Sequence, residues 1–370
     1  LEEAGRLTDM RPGATIKKRR KSLLLPTHTE EAISMRIAIY GAGSLGTVLG
    51  AYLAKAGIAA DLIARNRAHV DALNRDGAHI TGTVDFIQPV RAFTPDQLEG
   101  CYDLVFFLVK QTGTQEALTQ LKPHLSPDSI VCTLQNGLPE AVLEYALGAD
   151  HVVGCTVEWG AEWKGPGVSE LTSEPTALTF SIGKSAGVID NDVLKVRDTL
   201  SAMGPTTATV NLMGIRWSKL LINSMLSGMS AVTGATFGEV AAHPQALSCA
   251  QEVANECIRT AKAAGVVMEK FHGVSLSGLL AYRSSLKKRL LRPVVRAMVK
   301  PHRLLRASML QDLEKGKPCE IDAINGAVCR TAARCGIATP YNDAIVAIIR
   351  EIENGKAKPG FENLSRFPRA

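Results

Sequence analysis

No apolar run in this chain of 370 residues approaches the roughly 20 residues of a membrane-spanning helix. The opening residues are polar and basic, without the apolar centre of a secretory signal, so a soluble cytoplasmic protein with no membrane partner is expected. Cysteine is sparse and dispersed. None of the eight residues forms a C-x-x-C pair, and the closest two, Cys329 and Cys335, have no histidine partners. That pattern argues against zinc or any other metal site and favours buried thiols in a reducing compartment. Acids are missing altogether between Phe271 and Arg306, where nine Lys or Arg stand. Such a block reads as a solvated helix face, or as a surface that draws an anionic cofactor, substrate or partner. Interleaved aromatics are also nearly absent there, which excludes the usual stacking route to nucleic acid. No internal repeat or low-complexity tract is evident.

What is present is ample apolar content, 46% with a mean hydropathy of +0.06, enough for two domains with separate cores. The organising stretch is Met35-Arg-Ile-Ala-Ile-Tyr-Gly-Ala-Gly-Ser-Leu-Gly46. Arg36 to Tyr40 reads as a buried strand, Gly41, Gly43 and Gly46 form a G-x-G-x-x-G turn, and a helix follows to Lys55. Gly41 allows the tight turn, Gly43 admits a pyrophosphate to the backbone, and Gly46 permits close helix–strand packing. Gly41, Gly43, Ser44, Leu45 and Gly46 are therefore candidate cofactor contacts at a helix N-terminus.

Strands are predicted at Arg36–Tyr40, Ala60–Ala64, Leu104–Val109, Ile130–Leu134 and Val152–Thr156, with another inside Ala78–Val90. Helices are predicted at Leu45–Lys55, Ala68–Arg75, Thr114–Leu121 and Pro139–Leu147. This α/β alternation implies a Rossmann-type doubly wound parallel sheet. Glu158–Leu171, turning at Gly165-Pro166-Gly167, and Ala177–Ile182 are expected to extend that sheet antiparallel at its far edge. Beyond Met213 the pattern is helical: Trp217–Val232, Pro244–Ala264, Ile321–Cys335 and Asn342–Glu353. The expected division is a disordered extension over residues 1–34, preceding a natural start at Met35, a nucleotide domain over 35–210 and a helical domain over 211–370.

Ligands of open parallel sheets bind beyond the carboxyl ends of the strands. The second strand ends in Arg65, nineteen residues after Gly46, where a dehydrogenase selective for NAD would place an acid. A guanidinium there suits a 2′-phosphate and favours NADPH/NADP, the alternative being a solvated arginine. Lys110 ends the third predicted main strand, within reach of a cofactor phosphate or a substrate carboxylate. Asn136, in Gln135-Asn136-Gly137, can bond a ribose or substrate oxygen, or merely form a turn. In the helical half Lys219, Asn223 and Ser227 recur at four-residue spacing on an otherwise apolar helix. Polar groups in such a setting need buried partners or a wet cleft. Ser308 reads alternatively as a helix cap, and Glu320 and Asp322 as acids at a helix start.

Taken in order, Gly-Ala-Gly-Ser-Leu-Gly, Lys110, Gln135-Asn136-Gly137, Trp217-Ser218-Lys219 with Asn223, Ser308 to Asp312, Glu320-Ile321-Asp322 and Thr339-Pro340 make the chain similar to the ketopantoate reductase (2-dehydropantoate 2-reductase) family. The resemblance runs from Met35 to about Arg366. It implies a helical domain like that of 6-phosphogluconate dehydrogenases and reduction of ketopantoate by NADPH in pantothenate biosynthesis. It implies Lys219 as general acid and Glu320 as the group that orients it or holds the substrate hydroxyl. Asn136, Asn223, Ser227 and Ser308 would bind substrate, and Lys110 would hold cofactor or carboxylate. Two features depart from the family: Ser227 stands where a second asparagine is frequent, and the basic segment is long. Both leave room for another branched 2-keto acid. The rival readings are a related NADP-dependent hydroxyacid dehydrogenase and a non-catalytic NADP-binding sensor. A homodimer is left open.

Overall fold

The computed structural model describes residues 35–368 except 272; the extension expected over 1–34 lies outside them. β1 (Ile37–Tyr40) is buried along its whole length and runs through the glycine turn into α1 (Ser44–Lys55). β2 (Ala60–Ile63) and α2 (Arg67–Asp76) follow, with Asn66 capping α2 through the N–H of His69. Next come β3 (Ala78–Gly82), β4 (Phe86–Gln88) and β5 (Arg91–Phe93). β6 (Tyr102–Phe107), α3 (Thr114–Leu121), β7 (Leu125–Thr133), α4 (Glu140–Leu147) and β8 (Val152–Val157) complete the parallel core. β9 (Ala161–Gly165), β10 (Val168–Leu171), β11 (Phe180–Gly183), α5 (Asn191–Leu200) and β12 (Thr206–Ala208) end this half.

The main sheet has the order β12-β11-β8-β7-β6-β1-β2-β5. Every pairing in it is parallel except β11 with β8. The inner stretches of its central strands, such as Ile37–Tyr40 in β1 and those that end β6 and β7, are buried and mostly apolar because both faces are covered. The hairpin read at Gly165-Pro166-Gly167 exists, but its expected place is wrong. β9 and β10 do not extend the main sheet; they form a second sheet, β4-β3-β10-β9, in which Val168 pairs in parallel with His79. Only β11 joins the main sheet antiparallel. The second sheet packs on α1, which is thereby covered on two sides. That explains the small residues of α1: a Cβ on Gly50 would lie 2.7 Å from a methyl of Leu62.

The remaining chain is helical: α6 (Leu212–Ile222), a π-helical turn at Asn223–Ser227, α7 (Gly228–Thr233), α8 (Phe237–Ala242) and α9 (Pro244–Ala263). α10 (Leu276–Leu280), α11 (Ser285–Val299), α12 (Ser308–Glu314), α13 (Asn325–Arg334) and α14 (Pro340–Glu353) follow. The expected single helix over Trp217–Val232 is thus interrupted. The buried Asn325 donates from Nδ2 to Ser224 O inside the π turn, so a side chain has entered the helical ladder. Trp217, Leu220, Leu221 and Met225 fill the core of this half together with α9 and α14. The buried Glu256 of α9 accepts from the N–H groups of Tyr341 and Asn342 at 2.9 Å each and so satisfies the start of α14. Among the described residues no helix is long and apolar enough to cross a membrane.

Candidate active site

The carboxyl ends of β1, β6, β7 and β8 share one edge of the main sheet, and the helical half meets that edge. At β1, Gly41 adopts φ 105° and its missing Cβ would lie 2.5 Å from Val109 N, so only glycine fits. A Cβ on Gly46 would lie 2.6 Å from Gly41 O, which shows how tightly α1 returns onto the turn. Gly43, by contrast, is exposed with open space where its Cβ would be, and no side chain caps α1. Ser44 and Leu45 form its first turn. An open glycine at an uncapped helix N-terminus fits a pyrophosphate. Behind the turn the buried His69 accepts from Gly167 N at Nδ1, so its Nε2 carries the proton and donates to Ala42 O at 2.9 Å. Burial holds its pKa below the usual value.

Arg65 lies beyond β2, exposed, with Nη1 donating to Glu116 Oε2 at 2.8 Å. Arg67 opens α2 and pairs with Asp96 at 3.4 Å. Two guanidinium groups at a helix N-terminus fit a phosphate ester, although each already faces an acid.

At the end of β6, Lys110 reaches across to α12, where Asp312 receives its ammonium at 2.5 and 2.6 Å. The next residue, Gln111, donates its backbone N–H to Glu320 Oε1 at 2.9 Å and its side-chain amide to Asn136 O. The Asn136 side chain in turn bonds Glu320. Burial raises the Glu320 carboxyl above the usual carboxylate range, against the pull of these donors and of Lys110. The residues quoted separately from the sequence at 110, 136 and 320 therefore form one connected group spanning the two halves. Glu320 sits in a turn ahead of α13, so it does not serve as that helix's first acid.

Lys219, on α6, donates from Nζ to Val157 O at 2.6 Å, at the end of β8. The residue keeps some accessible area, yet its surroundings are dense enough that burial, followed by the nearby Arg216 charge, lowers its pKa to about 8. Cys155, Glu158 and Glu320 pull the other way to a lesser degree. Asn223 and Ser227, both partly exposed, mark the two ends of the π turn; such turns gather at functional positions because they re-aim side chains. Ser308 is exposed at the first position of α12, one turn before Asp312, and makes no capping bond. The capping alternative for Ser308 therefore has no support in the geometry.

Sequence reasoning missed Arg216, Glu140 and Gln111. Arg216 is 1% exposed and pairs with Glu140 at 2.5 Å. It also donates to Gln135 O at 2.6 Å and Thr133 O at 3.2 Å, tying α6 to the end of β7 beside Asn136. A charged residue inside an apolar helical run was the available signal, three positions before Lys219.

Comparison with known proteins agrees with this layout. Residues 37–185 match the family model described as ketopantoate reductase PanE/ApbA, and residues 211–353 match that described as ketopantoate reductase PanE/ApbA C terminal. A 2-dehydropantoate 2-reductase of Pyrococcus horikoshii is 29% identical over 322 residues, covering 86% of this chain and 98% of that protein. A PanE/ApbA family ketopantoate reductase from Ralstonia eutropha superposes with a TM-score of 0.73 at 28% identity, over 87% of this chain and 99% of the other. A D-mandelate dehydrogenase in ternary complex with NADH and anilino(oxo)acetate superposes at 0.75 but only 22% identity, over 87% of this chain and 99% of the other, and so speaks for the fold alone.

Proposed function

The chain belongs to the ketopantoate reductase family, and on that premise we propose that it reduces 2-dehydropantoate to pantoate with NADPH. The cofactor domain would occupy residues 35–210 and the substrate domain 211–370. When bound, NADPH supplies the two electrons and one hydrogen of the reduction. Gly41, Gly43, Ser44, Leu45 and Gly46 would hold its pyrophosphate and Arg65 its 2′-phosphate. All other work falls to side chains of the cleft.

The observation that carries this reading is the Lys219 ammonium, partly desolvated and turned toward the sheet edge, where it donates to the Val157 carbonyl. A group with a pKa near 8 is mostly protonated at neutral pH yet gives up its proton readily. As negative charge grows on the substrate's keto oxygen, Lys219 would donate to it, stabilising that charge and completing the hydroxyl. Glu320, anchored by Gln111 and Asn136, would accept a hydrogen bond from the substrate's hydroxyl. Asn223, Ser227 and Ser308 would fix the remaining polar atoms, and Lys110 the carboxylate, converting binding into orientation. The net change is keto acid plus NADPH plus one proton giving hydroxy acid plus NADP.

The test is NADPH consumption with ketopantoate beside a panel of other 2-keto acids. A kcat/KM for ketopantoate at least tenfold above the rest supports the reading. A higher value for another branched acid would favour the second reading, which Ser227 in place of the frequent asparagine motivates.

A further inference from the structure

The cation assigned to the 2′-phosphate is already occupied. Arg65 follows β2 and Glu116 stands in the first turn of α3, after β6; in the sheet β1 separates these two strands. Their side chains meet at 2.8 Å across the carboxyl end of β1, on the flank of the glycine turn. Both are largely in solvent, at 70% and 55% exposure, so the contact is weakly held and can be exchanged. An acid in the first turn of α3 needs no arginine to interact well with that helix. Its reach to a residue 51 positions away therefore calls for a separate account. Tyr40, the last residue of β1, registers both charges: burial pushes its hydroxyl up to about 12, with Glu116 adding to that and Arg65 opposing it.

We propose that Glu116 is a specificity-determining residue: an internal counter-anion that holds Arg65 in the free protein and narrows the preference for a 2′-phosphorylated dinucleotide over its unphosphorylated form. This rests on the reading of Arg65 given above. A 2′-phosphate must displace the Glu116 carboxylate from Arg65 and then remain beside it, two like charges close together. A dinucleotide with a free 2′-hydroxyl leaves the pair intact and meets neither penalty. The chain is thus built to accept both nicotinamide dinucleotides with a modest bias.

The experiment is direct binding, without turnover. Dissociation constants of NADPH and NADH are measured by calorimetry on the full chain, at low and high salt, for the wild type, Glu116→Gln, Glu116→Ala and Arg65→Ala. Both Glu116 variants should bind NADPH about three- to tenfold more tightly at low salt, a gain that shrinks at high salt. Their NADH affinity should change less than about twofold by the same argument, since no charge meets the carboxylate there. Unchanged NADPH affinity, or equal tightening for both cofactors, overturns the inference. Arg65→Ala separates the levels. If it leaves the NADPH-to-NADH ratio untouched, the 2′-phosphate reading itself falls. If it lowers the ratio while the Glu116 variants fail to raise it, only the counter-anion role falls. Since Glu116 is exposed, thermal melts should show every Glu116 variant folded.

Discussion

Replacing Lys219 with alanine removes the one group asked to deliver a proton, and the size of the effect can be worked out beforehand. General acid catalysis contributes about 10²- to 10⁴-fold, or roughly 3 to 5.5 kcal/mol of barrier. The expected loss in kcat is within that range, with NADPH affinity unchanged to about twofold because Lys219 sits at the end of β8 and not at the glycine turn. The pH dependence is the sharper criterion. With a pKa near 8, the ammonium is about nine-tenths protonated at pH 7 and about one-tenth at pH 9. Reduction needs the acid form, so activity should be level below neutrality and fall tenfold per pH unit well above pH 8. Lys219→Arg keeps the charge but not a transferable proton, and should erase that limb along with most of the rate. The assay is NADPH absorbance from pH 6 to 10, under saturating ketopantoate for the loss in kcat and well below KM for the alkaline limb, since kcat/KM reports the free protein. Retention of the alkaline limb in Lys219→Ala, or a loss below tenfold, would refute the assignment.

Three other outcomes follow from the geometry. Asp312→Asn removes the cleft-spanning ion pair; because the Lys110 side chain is 51% exposed, stability should drop by about 1 kcal/mol at most. The KM for the keto acid should rise severalfold as Lys110 loses its anchor, and kinetics beside a urea titration separates the two effects. Glu140→Gln alone leaves the buried Arg216 charge uncompensated and should cost about 3 to 5 kcal/mol in urea unfolding. The double variant Arg216→Met/Glu140→Met should recover much of that loss and move the alkaline limb to higher pH, since Arg216 lowers the Lys219 pKa. His69 is held below the ordinary 6.5 by burial, so the unfolded chain binds the extra proton. Its contribution to stability is therefore full above about pH 6.5 and is lost as pH falls below that. His69→Gln should flatten the urea midpoint between pH 7 and 5; an unchanged slope would count against this coupling.

What could be read from the sequence was whatever is local. The glycine turn, β1 and α1 announce themselves because a strand, three glycines and a small-residue helix occupy one continuous stretch. Thr114–Leu121 was legible to the residue for a similar reason, a short amphipathic helix between two apolar strands. The hairpin of β9 and β10 was equally local, but its partner β3 lies about ninety residues upstream, and period-two alternation says nothing about which edge a hairpin joins. α10, α11 and α12 were given no bounds, the basic block being read only as a helix face and Ser308 only as a possible cap. α10 is five residues long, α12 is seven, and the charged face of α11 is wholly basic; short helices draw their stability from packing rather than propensity.

The site shows the same boundary from the chemical side. Lys110, Asn136, Lys219 and Glu320 could each be picked out as polar residues at strand ends or on apolar helices. Their connections could not, because those that join the group cross between halves: Lys110 to Asp312, Gln111 to Glu320, Arg216 to Glu140. The last of these matters most for the mechanism. A buried guanidinium one helical turn from Lys219 is tolerated only because Glu140, the Thr133 carbonyl that ends β7 and the Gln135 carbonyl just beyond it receive it. Once held there, its charge joins desolvation in making Lys219 a better acid than a solvated lysine. The reactivity of Lys219 is therefore set partly by the end of β7, which also carries Asn136. One polar cluster thus positions a candidate substrate ligand and tunes the proposed proton donor, so variants of Arg216 should change kcat and its pH profile together rather than either one alone.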